Sequence, residues 1–472
     1  MGRHGWNSGA RRWRLTALLG VGAAALALVV TLLHTLPDGG ASTAGTSRDG
    51  DKVHGTPVPA NGAAEPEVGW GFTHTQFSAD EGSSDATGRV ERRIADSGGL
   101  PQIQHLMGWG ADNPEPVKGR YDFDAMDRRI DFVRASGGTP VVTLCCAPDW
   151  MKGGEAGVDH TDWSQDALET APDPEHFDDF AALAATVAKR YPDVRHFIVW
   201  NEFKGFWNDA EARWDHEGYT ELYNRVYRAL KKVNPEIQVG GPYLVMDSLD
   251  PRETHASPTL KGTWGAMDRR VLDAFAYWNE HKAGADFVVV DGSSYTRHDE
   301  LLPDEFAATD KFTAVGEWVR RQTRGELPLW WAEYYVEPAD GDDNRHGWSE
   351  TRRTAVHAAG LIAMAKGGAT SGFYWNPEAE KGTDCPGCLW TPTDREEGGQ
   401  ELPMYDLLSR FAAAFPPGTE YRELSAPGRL RVLATDRTAL VVNTLDRSTT
   451  ATVDGKRIEL QAYEVRWLAR TT

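Results

Sequence analysis

The sequence predicts a (β/α)8 TIM barrel followed by a small all-β, sandwich-like domain, and three observations carry that prediction. Apolar strand-like runs alternate with helical stretches between residues 67 and 413. Two of the runs, His196–Trp200 and Leu327–Val336, lead into a lone glutamate, which suits strand tips at the mouth of a parallel barrel. After about Ala414 the helical rhythm gives way to short β-prone runs split by turn residues. A doubly wound open sheet is the alternative, but no glycine-rich phosphate loop supports it.

The elements follow in order. Residues 1–14 carry Arg3, Arg11, Arg12 and Arg14 and no acid. Leu15–Leu36 is a run of 22 residues without formal charge, long enough to cross a bilayer as a helix. The basic flank predicts a cytoplasmic N-terminus and an extracytoplasmic remainder. The run is long for a cleaved signal peptide, which favours an uncleaved single-pass anchor over secretion, although Ser42-Thr43-Ala44 offers a small-residue cleavage site. Residues 37–66, rich in Gly, Ala, Ser, Thr and Pro, read as a flexible linker.

The predicted barrel strands are Val68–Phe77, Leu100–Gly108, Thr139–Leu144, His196–Trp200, Gln238–Val245, Phe287–Ser293, Leu327–Trp331 and Thr370–Trp375. Between them, Phe177–Arg190 places Phe177, Phe180, Ala184 and Val187 on one helical stripe. Tyr219–Lys232 does the same with Tyr219, Leu222, Tyr223, Val226, Tyr227 and Leu230. Asn234-Pro235 stops that second helix. In the terminal domain, residues 414–472, the predicted strands are Leu430–Ala434, Ala439–Asn443, Ala451–Val453, Ile458–Leu460 and Glu464–Leu468.

Hydrophobic residues make up 40% of the 472, enough for a large core. The net charge of −20 disfavours nucleic acid as a partner, because phosphate contacts need clustered Lys and Arg. The 18 Trp suit stacking on the C–H faces of sugars, although a large core also absorbs tryptophan. Of the four cysteines, Cys385 and Cys388 flank a Pro-Gly turn and fit a small disulfide loop outside the cell. No further ligands nearby make a zinc knuckle of them. Cys145-Cys146 sits at a strand end and reads as buried packing rather than a vicinal bridge.

On a barrel the chemistry sits at the C-terminal strand ends. Those ends read Thr73-His74-Thr75-Gln76, then His105 and Trp109, Pro148-Asp149-Trp150, Asn201-Glu202, Tyr243, Tyr295, Glu333-Tyr334-Tyr335 and Trp375-Asn376. They are acids, amides and aromatics, with no metal triad and no exposed serine beside a histidine, so neither metal nor cofactor is expected. Such a lining suits a neutral carbohydrate. Glu202 reads also as a buried ion-pair partner, and Glu337, four residues beyond Glu333, competes for the second carboxylate. Asp340, Asp342 and Asp343 with Asn344 read as a solvated acidic loop rather than a calcium site.

Across residues 67–470 the chain resembles glycoside hydrolase family 39, of the retaining clan A. The resemblance is carried by VWNE at 199–202, WWAEYY at 330–335, GWGFTHTQF at 69–77, APDWM at 147–151 and VGGPY at 239–243. It implies that Glu202 on strand four is the acid/base and Glu333 on strand seven the nucleophile. It also implies that Asn201 holds the sugar 2-hydroxyl, that Tyr295 hydrogen-bonds the nucleophile, and that Trp375 floors the reacting sugar. His74, Trp109 and Trp150 are further candidates for sugar contact. One departure stands out: the family follows the strand-four glutamate with proline, where this chain has Phe203-Lys204.

The activity so implied is retaining hydrolysis of O-glycosidic bonds by double displacement, with β-xylosidase the first guess. Two carboxyls about 5 Å apart cannot both ionise cheaply, which separates an acid from a nucleophile. Endo-acting cleavage of an exopolysaccharide or other glycan is the alternative within the class. A non-catalytic carbohydrate-binding protein on the same fold is the alternative outside it, and loss of either glutamate would favour that. Polar strand tips argue against a purely structural envelope protein.

Overall fold

The computed structural model describes residues 68–76, 81–338, 347–375, 377–379 and 386–470. The predicted anchor at 15–36, the linker at 37–66, the acidic loop of Asp340, Asp342, Asp343 and Asn344, and Cys385 lie outside those residues. Among the described residues no helix is long and apolar enough to cross a membrane.

Eight parallel strands close into a barrel: β1 (Trp70–Thr73), β2 (Gln102–His105), β3 (Pro140–Leu144), β4 (His196–Val199), β5 (Gln238–Val245), β6 (Phe287–Ser293), β7 (Leu329–Tyr335) and β8 (Ala369–Trp375). Neighbours in space are neighbours in sequence, and β8 pairs with β1 to close the ring. Each predicted run overlaps one of these strands; β7 runs on to Tyr335, past the predicted end at Trp331, and β8 begins at Ala369, one residue before its predicted start. Each strand is followed by a helix: α1 (Ser84–Asp96), α2 (Asp124–Ala135), α3 (Phe177–Arg190), α4 (His216–Val233), α5 (Arg269–His281), α6 (Asp310–Gln322), α7 (Glu350–Lys366) and α8 (Pro403–Ala414).

Local chemistry explains where the helices begin. The side chains of Ser83, Asp215, Asp268 and Ser349 accept the orphan N–H groups of α1, α4, α5 and α7. The expected stripes are the buried ones: Phe177, Phe180, Ala184 and Val187 on α3, and Tyr219, Leu222, Tyr223, Val226 and Leu230 on α4. Asn234 caps α4, as its Asn-Pro pair predicted.

The interior divides into two layers. Inside the ring, Val68, Ile103, Val141, Ile198, Tyr243, Phe287, Val289, Trp330, Ala332 and Phe373 pack as one buried cluster. This fills the lumen, so the barrel has a floor rather than a pore. A much larger cluster lies between strands and helices. Cys145 and Cys146, next to the end of β3, are free thiols buried in that outer layer, while Cys388 is disulfide-bonded.

The chain ends in antiparallel sheet. Strands β9 (Leu430–Ala434), β10 (Thr438–Asn443) and β13 (Val465–Ala469) form one sheet, and β11 (Thr449–Val453) and β12 (Lys456–Leu460) a hairpin. The sheet docks on the barrel: Arg431 donates to the Phe306 carbonyl at 3.1 Å and pairs with Asp310 of α6.

Candidate active site

Glu202 lies three residues past the end of β4, and Glu333 lies inside β7. The two meet at the C-terminal mouth of the barrel. Asp291 of β6 joins them: one carboxylate oxygen from each of Glu202, Asp291 and Glu333 lies within 4.8 Å of the other two. Register explains the third member. Val290 pairs with Trp331, but the next pair is Asp291 with Glu333, so a one-residue shift sets these two acids side by side on the inward face. A second shift between β5 and β6 skips Tyr243, whose φ is 55°. Tyr243 thereby turns into the lumen, and its hydroxyl donates to Glu333 Oε1 at 2.5 Å.

The other Glu333 oxygen accepts from the Tyr335 hydroxyl. The hydroxyls on Glu333 thus come from β5 and β7, not from Tyr295. That corrects the role given to Tyr295. It sits beyond β6, nearly buried, and its carbonyl accepts from Ser293 Oγ at 2.9 Å. The physical reason is the left-handed turn at Tyr243, which brings that hydroxyl to the acid first.

The loop after the acid explains the missing proline. Trp200, Glu202 and Phe203 have φ of 67°, 53° and 57°. Proline, locked near −65°, cannot take the place of Phe203. The turn drops the Phe203 ring onto Tyr219 of α4, with centroids 3.9 Å apart. It also curls Lys204 back, so that its ammonium sits 2.8 Å from Glu202 and 3.3 Å from Glu169. Left-handed non-glycine residues each cost about 1–3 kcal/mol and persist where packing holds them.

Three carboxyls and one ammonium in a buried site set each other's protonation. Burial opposes ionisation of Glu202, but Lys204 and a hydrogen bond to Asp291 outweigh it and hold the carboxyl below its ordinary value. Burial, and then the Glu202 charge, push Glu333 up to about 8 despite its two tyrosine donors. Burial and the same charge put Asp291 well above the usual carboxylate range. The lysine stays charged: its carboxylate partners overcome its desolvation. At rest, then, Glu202 carries the negative charge and two protons lie on Asp291 and Glu333.

The remaining candidates divide. Asn201 is buried beside the cluster and next to His105, and its Oδ1 accepts no hydrogen bond from the described residues. Trp375 ends β8 half-buried, edge-on to His105 at 6.3 Å. Trp109 is only 1% exposed; His105 stacks on it at 4.5 Å, and the Lys204 ammonium lies 5.1 Å from its centre. It braces the charged pair rather than offering an open face to a sugar. His105 itself is neutral, because burial lowers its pKa to about 3. Trp150 is half-buried between the loops after β2 and β3, its indole N–H donating to the Glu115 carbonyl at 2.8 Å.

His74 is the clear correction among the sugar contacts. Its ring lies edge-on to Phe72 and to Phe132 of α2, in the layer between strands and helices, and bonds Gln102 at 2.8 Å. Alternation along β1 turns it outward with Phe72. Glu337, the competitor for the nucleophile, is a buried ion-pair partner of Arg353 at 2.6 Å.

Residues 105–320 match the family model described as glycosyl hydrolases family 39. The resemblance to glycoside hydrolase family 39 stands. A curated β-xylosidase of Geobacillus stearothermophilus is 25% identical over 235 residues, covering 46% of this chain and 42% of that protein. The match thus spans less than half of that relative's length. Among solved structures, a monomeric β-xylosidase of Caulobacter crescentus covers 82% of this chain and 75% of its own, at 16% identity and a TM-score of 0.52. SrfJ of Salmonella typhimurium covers 87% and 91%, at 11% identity and a TM-score of 0.54. At such identities the structures speak for the barrel fold alone. Within a family 39-like barrel, Lys204 and Asp291 are additions that the resemblance did not lead one to expect.

Proposed function

We propose that this chain is a retaining glycoside hydrolase, with Glu333 as nucleophile and Glu202 as acid/base, and with β-xylosides the first substrates to try. The observation that carries this reading is the approach of the Glu202 and Glu333 carboxylates, within 4.8 Å at the barrel mouth. Such a gap suits direct attack on the anomeric carbon and leaves no room for an intervening water, as inversion would need. Placement outside the cytoplasm, tethered through residues 15–36 or secreted, belongs to the same proposal.

The resting protonation is the reverse of the reactive one, but the proton count is the same. Moving one proton from Glu333 to Glu202 yields a charged nucleophile and a loaded acid. Substrate favours that shift. A glycosidic oxygen beside Glu202 accepts a hydrogen bond only from the protonated acid, and positive charge growing at the anomeric carbon stabilises ionised Glu333. In the first step Glu333 bonds the anomeric carbon while Glu202 gives its proton to the departing oxygen. In the second, Glu202 takes a proton from water as water displaces Glu333. Asn201 Oδ1, buried and without a donor among the described residues, suits a sugar hydroxyl donor.

The test uses the soluble fragment from about residue 65, screened on aryl β-glycosides and natural polysaccharides. Proton NMR should show initial release of the anomer that the substrate carried, and Glu333→Ala should lose activity by several orders of magnitude. Initial release of the opposite anomer, or full activity in Glu333→Ala, overturns the reading. A chain that binds glycans without cleaving any would be the sugar-binding alternative.

A further inference from the structure

Asp291 is 1% exposed, and among the described residues neither of its carboxylate oxygens has a standing hydrogen-bond donor. The groups facing it are Glu202 and Lys204 from the loop after β4, Tyr243 from β5, Glu333 from β7 and Lys311 from α6. Each cation and hydroxyl is engaged elsewhere: Lys204 on Glu202 and Glu169, Tyr243 on Glu333, and Lys311 on the Tyr295 carbonyl at 3.4 Å. An ionised carboxylate so placed would be desolvated and unpaired, with two further acids within 4.8 Å. Holding a proton removes the charge and turns Asp291 into a donor, and the Glu202 carboxylate is the acceptor within reach.

We propose that Asp291 is a permanently neutral carboxylic acid that donates a hydrogen bond to Glu202 and so positions and tunes the acid/base. Its catalytic consequence rests on the glycosidase reading; its proton does not. When the glycosidic C–O bond breaks, the Glu202 proton goes to the leaving oxygen and Glu333 forms its bond to the anomeric carbon. Glu202 becomes a carboxylate, and the Asp291 contact changes from a neutral to a charge-assisted hydrogen bond, roughly twice as strong. When water later gives its proton to Glu202, the contact relaxes. Asp291 keeps its own proton throughout, so the balance of both steps is unchanged. A contact that tightens as the acid gives up its proton lowers the barrier from the bound complex, in which Glu202 is protonated, and so acts on kcat. Asp291 is a positioning residue, acting through Glu202.

Infrared difference spectroscopy and kinetics together test this. At neutral pH, Asp291→Asn should lose one carboxylic-acid carbonyl band relative to wild type. Asp291→Ala should lower kcat about tenfold to a hundredfold for glycosides with poor leaving groups. It should leave dinitrophenyl glycosides, which need no acid, close to wild type. Asp291→Asn, whose amide still donates, should restore most of the loss. An unchanged carbonyl region overturns the proposal, as do equal losses on both kinds of leaving group, which would mark a merely structural role. If wild type cleaves no glycoside at all, the glycosidase reading fails, while the infrared result still decides whether Asp291 holds a proton.

Discussion

The charge on Lys204 is the residue-scale feature on which the site's pH behaviour turns. It favours the ionised forms of both Glu202 and Glu333. The reactive form holds one proton between the two glutamates, so the alkaline limb of kcat/KM follows the loss of that proton from Glu333, pushed up to about 8 in the free site. Lys204→Met keeps the packing on Trp109 but removes the charge. Both carboxyls then titrate higher, and both limbs of the kcat/KM profile move to more alkaline pH. A pH profile of kcat/KM checks this; a limb that stays put or moves to lower pH rejects it. At this scale the two glutamates were legible, because each ends an apolar run at a strand tip. Asp291 bears the same signature at the end of Phe287–Val290, but Tyr295, four residues on, drew the role on β6. Lys204 was visible only as a departure from the family pattern, since nothing in its neighbours' composition says that it folds back.

Among elements, the turn after β4 decides the geometry of the acid. Phe203 at φ 57° buries its ring against Tyr219 and aims Lys204 at Glu202. Phe203→Pro, the residue that the family pattern would place there, must swing φ by more than a hundred degrees and also vacates a fully buried ring site. Thermal unfolding should show a loss of about 3–5 kcal/mol, the range for emptying a buried aromatic site. Activity should fall even below the new melting temperature, because Glu202 loses its place. A Phe203→Pro protein with wild-type stability and activity would show that the left-handed turn is not required. Most of the strands were legible because both faces are buried, which leaves largely apolar runs; β2, with Gln102, Gln104 and His105, is the polar exception. The register shifts at Tyr243 and Asp291 were not, since a one-residue slip against a neighbour leaves no mark in composition. The outward turn of His74 escaped for a related reason: alternation along β1 decides it, and the strand is only four residues long.

At the scale of the whole molecule, the β domain is part of the barrel's packing rather than an appendage. Leu433, Leu440 and Val442 belong to the same buried cluster as the barrel helices. The Trp70 indole on β1 donates to the Phe415 carbonyl at 2.8 Å, and Phe415 stacks near Trp467 of β13 at 5.9 Å. The composition change after Ala414 made the domain legible, but not its docking, because the contacts pair residues more than a hundred positions apart. Removing residues 416–472 would strip Leu433, Leu440 and Val442 from that cluster. At about 1.5–3 kcal/mol for each such side chain, the loss approaches the 5–15 kcal/mol net stability of a typical domain. The truncated barrel should therefore be insoluble or melt far below the full chain, even though every residue of the carboxyl cluster is retained. The full chain from about residue 65 should unfold in one cooperative transition by calorimetry and circular dichroism. Two separate transitions, or a truncated barrel that melts with the intact protein and keeps its activity, would mean that the β sheet rides on the barrel without supporting it.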